Sequence, residues 1–165
     1  MALMKSDLAL QKELGNTDRY NQILDEIVAT DPNNPTTYFI LAETASESEE
    51  YDKAASFYKK ALDFDPENSG AMINFGAMKL KKEGEIVDQM NSLGTSRADD
   101  AKYEALKKER DQIYNEVLPY FEKAAILEPE NTGLLNTLVS IYGQLGLDDK
   151  AKILKEKISQ QGGQE

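Results

Sequence analysis

The stretch Asp63-Phe64-Asp65-Pro66-Glu67-Asn68 spaces carboxylate and amide oxygens much as a calcium-binding loop does. Such a loop also needs glycine at its sixth position for the sharp turn and a bidentate glutamate at its twelfth. Asn68 and Asn74 stand at those places, so both the turn and the strongest ligand are missing. Residue type closes off most other chemistry. With no histidine and no cysteine, the chain has no imidazole acid–base group, thiol nucleophile, thiolate zinc site or disulfide. Acidic neighbours such as Asp148/Asp149 and Glu49/Glu50 follow from having 30 Asp and Glu, and consecutive helix residues point in different directions. Gly70 and Gly76 are six residues apart, but no Walker-type or dinucleotide glycine pattern surrounds them. The sequence therefore predicts no catalytic residue, no metal and no cofactor, and the chain is not expected to be an enzyme.

The charge narrows the partners. Nineteen basic and 30 acidic side chains give a formal net charge of −11, spread along the chain. That excess repels nucleic acid and anionic membrane surfaces. Hydrophobic residues at 40% and charged residues at 30% suit a soluble chain with a buried core, read here as a single domain over 1–165. No run approaches the roughly 20 apolar residues of a membrane helix, and Met1–Leu10 lacks a signal-peptide core. The sequence leaves the compartment open: the chain is expected to be soluble, and cytoplasmic or, where a leader has been trimmed, periplasmic.

The elements that would position any site are written in turns. Thr30-Asp31-Pro32-Asn33-Asn34, Phe64-Asp65-Pro66-Glu67-Asn68 and Leu127-Glu128-Pro129-Glu130-Asn131 share one pattern. Each follows an amphipathic triplet: Tyr20-Leu24-Ile27, Ala54-Tyr58-Ala61 or Val117-Phe121-Ala124. Spacings of four and three put each triplet on one helix face. Proline stops the helix by lacking an N–H and by disfavouring a helical residue before it, and the asparagine can cap the next helix. Pro32 and Pro66 are 34 residues apart, whereas Pro66 and Pro129 are 63 apart, about 29 more than one period. Units of 1–34, 35–68, 69–131 and 132–165 result, each predicted to be a helical hairpin.

A 34-residue period with two helices per unit resembles the tetratricopeptide repeat (TPR). In 35–68 the matching residues are Tyr38, Leu41, Ala42, Ala54, Tyr58, Ala61 and Pro66, with Ala45 where an aromatic is usual. The last unit matches through Leu135, Leu138, Val139, Tyr142, Gly146, Ala151 and Ile158. The first keeps Gly15, Tyr20, Leu24, Ile27 and Pro32, but Asp7 and Leu8 stand where leucine and a small residue belong. The resemblance implies an all-α, right-handed helical-hairpin solenoid of about four repeats.

The third unit begins with Met72, Phe75 and Gly76 and resumes with Val117, Phe121, Ala124 and Pro129. Between them, at about 84–112, Ile86, Val87, Met90 and Leu93 continue the first helix. Tyr103, Leu106, Arg110, Ile113 and Val117 form a stripe leading into the second. Ser92-Leu93-Gly94-Thr95-Ser96 supplies a turn, with Asp99 or Asp100 expected to start the return helix and Pro119 to kink it. The expected result is a pair of elongated antiparallel helices. Leu118-Pro119-Tyr120-Phe121-Glu122-Lys123-Ala124 and Tyr142-Gly143-Gln144-Leu145-Gly146 resemble a bacterial, often exported subgroup of the family over roughly 70–160. That likeness implies an architecture and no particular ligand.

The resemblance also implies an inner wall lined by the first helices. On it fall Phe39, Glu43 and Glu47, then Ile73, Ala77, Leu80 and Lys81, then Asn136 and Ser140. Phe39, Glu43, Glu47, Ile73, Ala77, Lys81, Asn136 and Ser140 are the candidate groove for a peptide or partner helix. Leu80 is either part of it or packed under the elongated pair. The carboxylate clamp of chaperone-binding members is absent. Lys5 suits its first position, but Ala9, Ile40, Gly70 and Asn74 replace the others. The expected function is a protein–protein interaction scaffold, with homodimerisation through the elongated hairpin as the alternative.

Overall fold

A computed structural model describes residues 6–7, 10–11 and 13–162. Over these residues the chain has seven helices and no strand, an all-α helical-repeat fold. It divides after Asn68 into two compact units, Met1–Asn68 and Ser69–Glu165.

The first unit holds α1 (Thr17–Thr30), α2 (Pro35–Glu47) and α3 (Tyr51–Phe64). Helical residues at 6–7, 10–11 and 13 precede α1; Leu8 lies outside the described residues. Tyr20, Ile23, Leu24 and Ile27 of α1 form a buried cluster against Ile40 and Leu41 of α2. Each such apolar side chain contributes about 1.5–3 kcal/mol on burial. Small residues then let α2 and α3 come together, with Ala42, Ala54 and Ala61 all 0% exposed. The nine residues of the three sequence triplets are all buried.

The repeated turns work through local hydrogen bonds. After α1, α3 and the long helix ending at Leu127, the backbone N–H of Asp31, Asp65 and Glu128 donates to the carbonyl four residues back, at 2.8, 2.9 and 2.8 Å. The N–H of Asn34, Asn68 and Asn131 then returns to the carbonyls of those acidic residues at 3.1–3.3 Å. The Asn34 side-chain oxygen accepts from Thr36 and Thr37, and that of Asn131 accepts from Leu134. Their amide groups donate back to the carboxylates of Asp31 and Glu128. The acidic residues before Pro32 and Pro129 thus hold the next helix's cap in place.

Gly15, Glu49 and Gly146 occupy the same repeat position and turn with φ of 67°, 61° and 69°. Only glycine adopts that left-handed region without a steric penalty of about 1–2 kcal/mol. Glu49→Gly is therefore expected to stabilise the protein by about 0.5–1 kcal/mol, after the glycine's larger unfolded-state entropy is allowed for. Chemical denaturation would show it as a raised midpoint at unchanged slope.

The second unit holds α4 (Ser69–Asn91), α5 (Arg97–Leu127), α6 (Thr132–Gln144) and α7 (Asp148–Gly162). At 1.5 Å per residue, the 23 residues of α4 and 31 of α5 span about 34 and 46 Å. They form one antiparallel pair, the elongated hairpin expected from the sequence. Ile86, Met90, Leu106 and Ile113 are its buried seam, flanked by Leu80 and Leu93. The return helix starts earlier than Asp99 or Asp100. Ser96 is its N-cap, and Asp99 closes a reciprocal capping box, accepting from the Ser96 N–H at 3.1 Å. The Ser96 hydrogen bonds hold the Asp99 carboxyl below the usual carboxylate range. At the other end of the pair, the Ser69 hydroxyl donates to Glu128 and ties the start of α4 to the end of α5. Helix α5 runs unbroken through Pro119, which lies on its exposed side.

Candidate interaction surfaces

On α2, Phe39, Glu43 and Glu47 follow one another at spacings of four and so share a face. Phe39 is half-buried, its ring edge-on to Tyr58 at 6.2 Å; Glu43 is half-buried and Glu47 exposed. Ile73, Ala77 and Lys81 repeat that spacing on α4, with Ile73 half-buried and the other two exposed. Asn136 and Ser140 are exposed one turn apart on α6. Each first helix thus presents a row of these residues, and the packing of Phe39 on Tyr58 gives that side chain a structural duty as well. Leu80 is settled differently: it packs against the seam of the elongated hairpin.

The clamp positions are equally legible. Ile40 packs on the α1 cluster, which leaves it no role as a polar ligand. Gly70 and Asn74 are half-buried on α4, and Lys5 and Ala9 lie outside the described residues. Among the described residues no three acidic side chains gather as a cation site. In the Asp63–Asn68 stretch, one Asp65 oxygen accepts the Glu67 N–H at 3.2 Å, so the turn itself uses it. No helix among the described residues is long and apolar enough to cross a membrane.

Sequence reasoning missed the polar networks, because their members are far apart in the chain. Glu122 on α5 accepts from the Tyr142 hydroxyl on α6 and the Lys150 ammonium on α7, both at 2.8 Å. Lys150 also lies 5.3 Å from the centre of the Tyr142 ring. The bond from Lys150 holds the Glu122 carboxyl below the usual range against its partial burial, and Tyr142 adds to the effect. Burial and the Glu122 carboxylate push the Tyr142 hydroxyl well up, so it stays protonated and keeps donating. In the arm, Tyr114 donates to Glu83 at 2.6 Å, while Lys79–Glu116 and Lys82–Glu109 pair α4 with α5 at 3.2 and 3.3 Å.

Because the folded Glu122 pKa lies below its unfolded value, its contribution to stability is present above pH 4.5 and is lost as the pH falls through the folded pKa. Lys150→Ala and, to a smaller extent, Tyr142→Phe should each raise the Glu122 pKa toward 4.5. Side-chain carboxyl NMR titration reads this directly; an unchanged Glu122 pKa in Lys150→Ala would show that the pairing is not formed in solution.

Residues 35–68, the hairpin of α2 and α3, match the tetratricopeptide-repeat family model. Solved structures of that repeat class superpose on nearly the whole chain. Residues 35–68 are a tetratricopeptide repeat, and the chain has the tetratricopeptide-repeat fold. MamA from AMB-1 aligns at 18% identity with a TM-score of 0.63, covering 96% of this chain and 70% of MamA. The first TPR of Spaghetti (RPAP3), bound to the HSP90 peptide SRMEEVD, aligns at 17% identity and TM-score 0.60, covering 88% of this chain and 94% of that one. IFIT1 aligns at 16% identity and TM-score 0.65, covering 92% of this chain and 31% of IFIT1. No curated protein sequence matches the chain. At these identities the structural likeness speaks for the TPR fold alone.

Proposed function

We propose that this TPR protein is a non-catalytic interaction scaffold that takes a peptide or partner helix on the rows presented by its first helices. Phe39, Glu43 and Glu47 serve in the first unit, and Ile73, Ala77, Lys81, Asn136 and Ser140 in the second. The observation that carries this reading is the alternation along α2 and α4 of one half-buried apolar residue with exposed or half-buried polar and small ones. A ligand gains from covering the apolar part and reads the rest for specificity. The similar fold of the Spaghetti TPR, seen with a bound peptide, supports the assignment. With Ile40 committed to packing, the ligand is not expected to be held by a terminal-carboxylate clamp.

Quantitative pull-down with Phe39→Ala/Ile73→Ala tests the reading. Affinity for a partner is expected to fall about 30-fold or more, the effect of losing two apolar anchors of about 1 kcal/mol or more each. Because Phe39 also packs on Tyr58, Lys81→Glu is the companion variant, altering an exposed charge without touching the core. Unchanged recovery in both variants removes these rows from the function. Homodimerisation through the arm has less support, since the monomer already buries Ile86, Met90, Leu106 and Ile113.

A further inference from the structure

Helices α5 and α7 each pack on α6 and meet one another through the Glu122–Lys150 pair, which leaves a cleft of about 480 Å³ with α6 as its floor. Leu135, Leu138 and Tyr142 form that floor, and Ile126 and Ile153 stand on the two walls. Those two isoleucines are 79% and 67% exposed, among the most exposed large apolar side chains of the described residues. The face of α6 involved differs from the one that carries Asn136 and Ser140, since residues one and five positions further on point elsewhere on a helix.

The first unit contains a counterpart that serves as an internal control. A cleft of about 490 Å³ lies between α1 and α3 over α2, with Tyr38 and Leu41 where the second unit has Leu135 and Leu138. Asp25, Lys53 and Lys60 line it at the repeat positions of Glu122, Lys150 and Lys157. At the positions of Ile126 and Ile153, however, the first unit has Ala29 and Ser56. The repeat folds with small or polar residues there, so folding does not require the isoleucines.

We propose that the cleft between α5 and α7 docks an amphipathic α-helix with acidic flanks, contributed by a partner protein. Shape argues for a helix over an extended strand. All three surrounding elements are helices, whose backbone groups are bonded internally, so a buried strand would leave its own amides unpaired. A helix satisfies its own backbone and lays residues at i, i+3, i+4 and i+7 onto Ile126, Ile153 and the floor. Charge argues for acidic flanks. Glu122 is already neutralised by Lys150, whereas Lys157 makes no ion pair or hydrogen bond among the described residues. The lining thus carries a surplus positive charge on a chain whose net charge is −11. This site is independent of the first-helix rows.

The test uses the full chain and a fluorescein-labelled 18-residue peptide with leucines at helical i, i+3, i+4 and i+7 spacing and glutamates on its flanks, read by anisotropy. Saturable binding is expected, weakened about tenfold or more by Ile126→Ala/Ile153→Ser and severalfold by Lys157→Glu. The double substitution installs what the first unit already has at exposed positions, so folding is expected to survive, as circular dichroism will report. Phe39→Ala/Ile73→Ala should leave this binding unchanged, which separates the cleft from the first-helix surface. No binding, equal binding of a lysine-flanked or scrambled peptide, or an unaffected Ile126→Ala/Ile153→Ser variant overturns the proposal. A dimer in sedimentation velocity that this double variant abolishes also overturns it, assigning the cleft to a second copy of the chain.

Discussion

Gly76→Ala is expected to destabilise the second unit by about 2 kcal/mol, although alanine is the better helix former by about 1 kcal/mol. Packing decides the sign. A Cβ at Gly76 would sit 2.4 Å from the Phe121 Cζ and within 2.8 Å of both Cε atoms. Those atoms belong to a ring that is 2% exposed, beside the wholly buried Phe75 and Val117, so it has little room to retreat. The equivalent pair in the first unit is Ala42 and Tyr58, both buried, which shows that the repeat accepts a methyl group where the helices leave space for it. Loss of the glycine should therefore be specific to the closer approach of α4 and α5. Urea denaturation will read the change, and Phe121→Leu in the Gly76→Ala background should recover part of it by removing the ring edge. A stabilised Gly76→Ala protein would mean that the ring moves aside at little cost.

The second large effect belongs to the arm. Ile86→Ala removes a side chain that is 2% exposed in the seam of Ile86, Met90, Leu106 and Ile113. Truncations of this kind cost about 2–5 kcal/mol, the upper part of the range where neighbours cannot collapse into the cavity. Within the second unit α4 packs on α5 alone, so no third helix on that side absorbs the loss. Hydrogen exchange is expected to accelerate roughly 100-fold over 84–112, about 3 kcal/mol in opening free energy, while α6 and α7 keep their protection. Equal acceleration throughout 69–162 would instead show that the arm and the repeat open as one cooperative unit. The ion pairs Lys79–Glu116 and Lys82–Glu109 are partly exposed and cannot substitute for the seam.

Much of this fold was legible because its controlling interactions are local. The proline turns depend on residues three or four apart, and the sequence showed both the stops and the capping asparagines. The buried triplets follow from helical spacing, which needs no knowledge of the partner helix. Glu49 shows where that reading ends. Glycine suits the left-handed turn at Gly15 and Gly146, but nothing in the type of Glu49 points to one, and the surrounding hairpin imposes the same φ. Ser96 was a smaller miss: the sequence offered several turn residues and adjacent aspartates, and the reciprocal bonds with Asp99 selected the cap.

The exposed rows proposed for binding stand apart, since their placement on first helices comes from the repeat pattern and their use remains a matter for the substitutions above. Leu80 belonged to that pattern too, yet it lies under the arm because α5 extends far enough to cover it. The network of Glu122, Tyr142 and Lys150 joins three helices over 28 residues of chain, a distance at which spacing carries no information. The cleft between α5 and α7 depends likewise on how far two non-sequential helices stand apart over a third. The sequence by itself determined the all-α repeat, its turns and the lengthened third hairpin, set by hydrogen bonds within a few residues and by the helical and repeat periods. Tertiary structure decided which apolar side chains are spent on packing and which, like Ile126 and Ile153, are left facing solvent, because exposure is a property of the whole neighbourhood and not of the residue.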